Sequence, residues 1–526
     1  MKIYKKSYLL VLGILLIVIV AIFFIKTNNL SDGKRPNLIL ISVDSLRADH
    51  VSSYGYSRKT TPNIDNLAKE GMLFKNYISQ AYLTPISEMA VHTGLYPSSS
   101  GVSGFDAVLP KNFFTLAQIL KVSGYKTAAF GNSPEFVIYP ALKDNFDRGF
   151  DLYDIQLYRE KLVNQKNIFN FLNKEKDKPF FLWLPLGSAH HKYGKFPKKF
   201  GDLTYKESTN ELGTNWFDKV LWIYNNVLYE FKDENSTKKA NLNNKDIQYI
   251  IDRYDDDIFA TDKWIGDFLA QLKNTGLDEN TIVVVQSEHG EDFGEHGYIW
   301  HYDIFDTTLK TPLIIKNPTS NKKNLVIENQ VQSIDLLPTI LDFLNIAKPH
   351  QIEGSSLVLL AEGKKRKNNT DYIFVERTPL WERVMFQFDD LIKDEKVLNQ
   401  IKESSNLVKK ALTSYYKDET IDLIQGKPFF DQKDVALRTN NWKLIYRRSK
   451  DFQEKYSWWN VLSGSIKKME DFELYNLKSD PAEQENVIEK YPDVAKDLKQ
   501  KINNFIKKQE SKKIIPELKK PIQEYF

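Results

Sequence analysis

The chain has 526 residues, enough for one large α/β domain with an appendage or for two or three ordinary domains. A net charge of +4 over that length gives no basis for nucleic-acid binding, and 42% hydrophobic with 27% charged residues is a globular composition. The chain contains no cysteine, which excludes a thiolate metal site, a lipid-modified cysteine and a cysteine nucleophile.

At the N-terminus, Lys2, Lys5 and Lys6 precede an unbroken apolar run from Leu9 to Ile25. As a helix that run spans ~26 Å, at the short end of what crosses a bilayer. No small-x-small cleavage site follows, so residues 1–27 are expected to form an uncleaved signal-anchor helix and 28–36 a polar linker. The positive-inside rule then puts the N-terminus in the cytoplasm and the body of a single-pass protein outside the cell membrane. A cleaved signal peptide, the alternative, leads to the same side.

"PNLILISVD" reads as a buried strand ending in an acid, Asp44. Strand-like runs recur at "YKTAAFG", "PFFLWLPL", "TIVVVQS", "TPLIIKNP" and "DYIFVE". Between them lie amphipathic stretches such as "TPNIDNLAKEG", "TLAQILKVSG" and "DIFATDKWIGDFLAQLKNTG". This alternation predicts a parallel sheet with helices on both faces, and ligands in such folds bind beyond the carboxyl ends of the strands. Residues 200 to 250 read as an irregular insertion over that edge. From about residue 380, a charged helical segment leads to "DVALRTNNWKLIYRR" and "FELYNL", read as strands of a small antiparallel sheet. An amphipathic terminal helix with a solvated lysine-rich tail closes the chain. The division predicted is a catalytic domain over 37–378 and a C-terminal subdomain over 379–526.

Two segments carry candidate chemistry. "AYLTPISEMAVHTGLYP", residues 81–97, sets the hydroxyl of Thr84 just before a proline turn and a short helix. "SEHGEDFGEHGYIWH" gathers His289, His296 and His301 with Glu288, Glu291, Asp292 and Glu295 at a strand end. Oxygen and nitrogen donors at that density suit Mn²⁺, Zn²⁺, Mg²⁺ or Ca²⁺, although solvated charges on a glycine-rich loop are the plainer reading. Asp44, which alone could be a turn or cap residue, ends a strand on the same edge. Asp44, Thr84 and Glu288–His289 together would give one metal and one hydroxyl.

With those residues in view, the chain resembles the sulfatase family of the alkaline phosphatase superfamily. "PNLILISVDSLRADHVSSYGYSRKTTPNIDNLAKEGMLFKNYISQA" is similar to the family's first segment and "SEHGEDFGEHG" to its S-D-H-G-E segment. "SIDLLPTILDFLNI" with "EGSSL", then "LRTNNWKLIY" and "ELYNLKSDPAEQENV", resemble later family segments in the same order. The resemblance implies an α/β sandwich around a large mixed sheet, followed by a small antiparallel sheet and a terminal helix. It also implies cleavage or transfer at a sulfate or phosphate ester through a covalent intermediate.

The departures narrow this. Sulfatases carry Cys or Ser, x, Pro, x, Arg and oxidise the first residue to formylglycine. Here Thr84 holds that position, Pro85 follows it directly, and Glu88 replaces the arginine. Formylglycine is therefore not expected. "FGNSPEF" stands where the family has its GKWH-type lysine and histidine. Thr84 matches instead the superfamily's extracytoplasmic phosphoethanolamine and phosphoglycerol transferases, which use an unmodified threonine. The resemblance implies Asp44, Thr84, Glu288 and His289 as metal ligands and Thr84 as nucleophile. It implies His301 as a catalytic and substrate-binding residue and His190 as a substrate contact, with His191 its ambiguous neighbour. Ser45 replaces an aspartate common in sulfatases, and Glu288 replaces their aspartate. His50 and His92 read as structural, His350 as exposed, and His296 as either a supporting or a surface residue.

The reading is a membrane-anchored, metal-dependent sulfatase-like hydrolase or phosphotransferase acting on a sulfate or phosphate ester, possible substrates being glycans or lipid head groups. The alternative is a non-catalytic sulfatase-like module that binds such groups through the old cleft, which Glu88 and Glu288 would favour.

Overall fold

The computed structural model describes residues 35–204, 244–364, 372–378, 433–448 and 470–512, apart from 106, 160, 191–192 and 297–298. The N-terminal apolar run, most of the linker, residues 205–243 of the insertion and the charged segment after 378 lie outside the described residues. Among the described residues, no helix is long and apolar enough to cross a membrane.

Strand β1 (Asn37–Val43) is buried at every position and sorts its side chains by parity. Leu38 and Leu40 enter one core, Ile39, Ile41 and Val43 the other. It lies near the middle of an eight-stranded sheet with β2 (Met72–Ile78), β3 (Lys126–Gly131), β4 (Leu152–Ile155), β5 (Phe180–Leu186), β6 (Thr281–Gln286), β9 (Lys310–Lys316) and β10 (Leu325–Gln332). The order is β10-β2-β9-β6-β1-β5-β3-β4. A two-stranded hairpin, β7 (Asp292–Phe293) and β8 (Ile299–Trp300), stands apart from it.

Helices cover both faces. On one side α1 (Pro62–Glu70), α4 (Gln165–Glu175) and α5 (Asn244–Asn274) bury Ile64 and Leu67, Ile168 and Leu172, and Ile265 and Phe268. On the other, α2 (Thr84–Thr93), α3 (Leu116–Val122) and α6 (Leu336–Phe343) bury Met89, Ile119 and Ile340. Burying each large aliphatic side chain contributes about 1.5–3 kcal/mol, so the amphipathic spacing fixes which face each helix takes. A Thr115–Gln118 capping box starts α3 where the sequence places a helix.

The sheet is mixed, as the family resemblance implies, where the strand-helix alternation alone suggests a parallel one: β9 runs antiparallel to both β2 and β6. No long crossover helix separates β6 from β9, only the hairpin, a four-residue helix (Asp306–Leu309) and their loops, so the chain returns in the opposite sense. Strand β11 (Ile373–Arg377), placed by its sequence in the catalytic domain, pairs instead with β12 (Asp434–Arg438) in the small antiparallel sheet. That sheet continues through β13 (Trp442–Tyr446) and β14 (Phe472–Asn476). The terminal helix α7 (Pro492–Glu510) packs Leu498, Ile502 and Phe505 against it. A separate apolar cluster, including Tyr82, Ile86, Ile304, Val375 and Ile445, joins the small sheet to the main domain.

Candidate active site

Asp44 follows β1 directly, and its amide extends the ladder by donating to Leu186 O at 3.0 Å. Ser45 then takes a left-handed backbone (φ 61°), an uncommon state for a residue with a β-carbon, and its hydroxyl donates to Asp44 Oδ1 at 3.0 Å. Ser287, just past β6, clips the neighbouring loop in place: its hydroxyl accepts from the Leu46 amide at 2.9 Å and donates to His289 O at 2.7 Å. Gly290 allows the following chain to press against Thr307 and Thr308, since a Cβ there would stand 2.2 Å from Thr307 O.

The structure brings Asp44, Thr84, Glu288 and His289 together. Candidate ligand atoms of Asp44, Glu288 and His289, all buried, lie within 4.8 Å of one another. His289 Nε2 is 3.9 Å from Asp44 Oδ1 and 3.8 Å from Glu288 Oε1. Thr84 Oγ1 lies 2.9 Å from the same nitrogen. His289 Nδ1 lies 2.9 Å from Gly290 O, so that nitrogen carries the proton and donates. Nε2 is left with a lone pair facing Thr84 and the carboxylates. Thr84 is the first residue of the ten-residue helix α2, whose positive N-terminal end favours negative charge on its oxygen.

Polar atoms here lack protein partners. Asp44 Oδ2 and both oxygens of Glu288 are buried with no hydrogen bond. Burial, then the charges of Asp44 and Glu88, push the Glu288 carboxyl well above its ordinary range. Burial, then the His301 ring, pushes His289 down to about 3, so it is neutral and able to ligate. A divalent cation about 2.1 Å from each donor brings donors to within roughly 4.2 Å of one another, and the distances from His289 Nε2 to Asp44, Glu288 and Thr84 fall inside that bound. The donor set fits such an ion. It answers three otherwise stranded buried oxygens, and two carboxylates match its charge.

His301 and His190 complete the wall. The His301 ring centroid is 4.2 Å from His289 and 5.1 Å from His190. Its Nδ1 lies 2.7 Å from Glu291 Oε1. Burial pushes Glu291 up to about 8 and His301 down to about 4, so at neutral pH the pair retains one carboxyl proton directed at Nδ1. Trp300, just before His301, holds φ 93°, a conformation costly for a side-chain-bearing residue and tolerated where a site demands it. His190 is buried at the end of β5, its carbonyl held by Lys195 Nζ at 2.5 Å.

The remaining histidines lie elsewhere. His296 pairs with Asp292 (2.5 Å), reaches Ala482 O at 3.0 Å and stacks on Phe305, tying the hairpin to the C-terminal segment. His50 pairs with Asp255, His92 packs edge-on to Trp183, and His350 is exposed. His191 lies outside the described residues. Glu88 points below the site, accepting from Ser42 Oγ at 2.7 Å and Gln286 Nε2 at 3.1 Å.

The sequence reading missed Glu135 and Arg159. Arg159 Nη2 lies 2.6 Å from Glu135 Oε2 and 3.7 Å from Asp44 Oδ2. Arg159 sits in a loop beyond β4 with no motif around it. Glu135 lies inside "FGNSPEF", where its carboxylate was a visible if unused signal.

A sulfatase family model matches residues 36–346. The chain is 27% identical over 352 residues to an ulvan-active sulfatase of Formosa agariphila, covering 61% of this chain and 64% of that protein. The chain thus spans just under two thirds of that relative's length. Among solved structures, one in complex with its substrate D-glucosamine-2-N,6-O-disulfate superposes with a TM-score of 0.62 at 21% identity, over 91% of this chain and 98% of the other. The phosphonate monoester hydrolase of Agrobacterium radiobacter does so with a TM-score of 0.62 at 19% identity, over 90% and 96%. With the model match spanning more than half its length, the chain belongs to the sulfatase family, within the alkaline phosphatase superfamily.

Proposed function

We propose that this protein is an esterase or transferase for a sulfate or phosphate ester, with Thr84 as its unmodified nucleophile. The observation that carries this reading is Thr84 Oγ1 at 2.9 Å from His289 Nε2, beside the unsatisfied oxygens of Asp44 and Glu288. Asp44, Thr84, Glu288 and His289 would hold one divalent cation, which when bound lowers the pKa of a hydroxyl and withdraws charge from ester oxygens. Oxidation of a threonine side chain gives a ketone and not an aldehyde, which is why no formylglycine is expected.

Thr84 Oγ1 forms a bond to sulfur or phosphorus as the bond to the leaving oxygen breaks, its hydroxyl proton passing to solvent water. The N-terminal end of α2 favours the anionic oxygen before attack. His301, oriented by Glu291, supplies a proton to the leaving oxygen, and His190 holds an ester oxygen through its ring. Water or an acceptor alcohol then takes the group from Thr84. The placement of Glu88 supports catalysis over a binding module, because its carboxylate is occupied by Ser42 and Gln286 and does not fill the cleft. The substrate class is read as sulfated or phosphorylated glycans or lipid head groups, reached outside the cell from an N-terminal anchor over residues 1–27. Membrane fractionation of the full chain and of a chain lacking those residues checks the anchor: only the full chain is expected to sediment with membranes.

The test of the chemistry is metal analysis and intact-mass measurement after incubation with aryl sulfate and aryl phosphate esters. An adduct on Thr84 is expected, with turnover requiring Mn²⁺ or Zn²⁺. Thr84→Ala is expected to lose at least ~10³-fold in kcat. Full turnover by that variant, or failure of the protein to bind any divalent metal, overturns the reading.

A further inference from the structure

Three carboxyl groups, those of Asp44, Glu288 and Glu135, stand close to Thr84 and leave an anionic ester few groups of opposite charge to meet. The side chain that brings permanent positive charge to Asp44 is Arg159, which contacts both Glu135 and Asp44. It comes from the far edge of the sheet. The loop after β4 crosses the carboxyl ends of β3 and β5 to reach the acid at the end of β1.

That crossing is built. Asn132 Nδ2, just past β3, donates to the carbonyls of Arg159 and Lys161 at 3.3 and 3.1 Å. Its Oδ1 accepts from the Gly187 amide, just past β5, at 2.9 Å. Gly187 leaves room for the arginine stem: a Cβ there would stand 3.1 Å from Arg159 Cγ and 2.9 Å from Ser133 Oγ. Ser133 is 1% exposed and its hydroxyl has no partner. The Arg159 side chain keeps 21% of its surface open, so the residue is fixed at its root without being sealed from solvent.

We propose that Arg159 is a substrate-binding residue that takes the anionic oxygens of the sulfate or phosphate ester, with Asn132 as its positioning residue. A planar guanidinium suits two oxygens of a tetrahedral anion better than an ammonium does. This rests on the reading of Thr84 and its neighbours as an ester-cleaving site, and the experiment separates the two.

The full chain in detergent is prepared as wild type, Arg159→Ala, Arg159→Lys and Glu135→Gln, with folding checked by thermal melting. Calorimetric titration first with Mn²⁺, then of the Mn²⁺-loaded protein with inorganic phosphate or sulfate, gives the affinities. Arg159→Ala is expected to keep Mn²⁺ affinity and to lose about 10- to 100-fold in affinity for the anion, the range for a charged hydrogen bond. Arg159→Lys is expected in between, and Glu135→Gln, which leaves the guanidinium in place, within about threefold of wild type. With an aryl ester, Arg159→Ala is expected to raise KM more than it lowers kcat. Anion binding by Arg159→Ala equal to wild type overturns the proposal, as does an equal loss in a folded Glu135→Gln, which would make the ion pair merely structural. Wild-type protein that binds neither anion also overturns it. Anion binding that depends on Arg159, without ester turnover by wild type, defeats the catalytic reading and leaves Arg159 standing.

Discussion

Glu88 stands at 0% exposure beneath the site, where it accepts from Ser42 and Gln286 while the Trp183 indole donates to the same Ser42 hydroxyl at 3.2 Å. A carboxylate here is a built-in acceptor, which is why an acid can occupy a position that the family gives to arginine. Glu88→Ala strands the Ser42 and Gln286 donors and opens a cavity, so a loss of about 2–4 kcal/mol is expected as a lower unfolding midpoint in denaturant. Glu88→Arg, which restores the family residue, is expected to cost more, because its donors would face the donors of Ser42 and Gln286.

The loop from β6 to β9 is the element on which the site depends. Gly290 lets it fold back on Thr307, and its neighbour His289 takes its direction from that contact. Gly290→Ala is expected to lower Mn²⁺ affinity by roughly 10–100-fold, a loss comparable to that from disturbing a ligand's supporting contacts, with calorimetric titration as the check. Asp44, Thr84, Glu288 and His289 were legible in the sequence because each sits at a strand end or helix start that local pattern reveals. Arg159 was not, since only the path of the β4 loop across two other strand ends brings it to Asp44. The antiparallel sense of β9 and the partner of β11 were hidden for a related reason. Periodicity shows that a run is a buried strand, but not which way it runs or which strand lies beside it.

At the scale of the whole molecule, the small sheet grips the segment that carries His301. Arg447, on the small-sheet side, donates to Asp303 at 2.5 Å, and Arg377 Nε donates to Tyr302 O at 2.7 Å. Arg438 and Lys443 enclose Asp306 in the same way. Burial raises the Asp303 carboxyl, but the Arg447 and Arg377 guanidiniums outweigh it and hold the group below its usual range. A carboxyl depressed in the folded state stabilises above its unfolded value near ~3.9 and loses that contribution as pH falls toward the folded value. The stability gap between wild type and Asp303→Asn is therefore expected to be about 3–5 kcal/mol at pH 7, where the variant leaves buried guanidiniums unanswered, and to shrink below about pH 4. Denaturant unfolding at both pH values checks this. The variant is also expected to lose ester turnover without losing Mn²⁺ affinity, because Asp303 holds the His301 segment and not the donor set.

The grip on Asp303 has a consequence for the order of synthesis. Asp44, Thr84 and His289 leave the ribosome early, but Arg377 and Arg447 are encoded after them, and the strands that carry them pair only once β12 and β13 exist. A nascent or truncated chain that ends before β13 therefore has Asp44, Thr84 and His289 without the partners that hold the His301 segment. On the proposed reading, the last-made part of the protein completes a site encoded first, so ester turnover is expected only once translation has reached the C-terminal sheet.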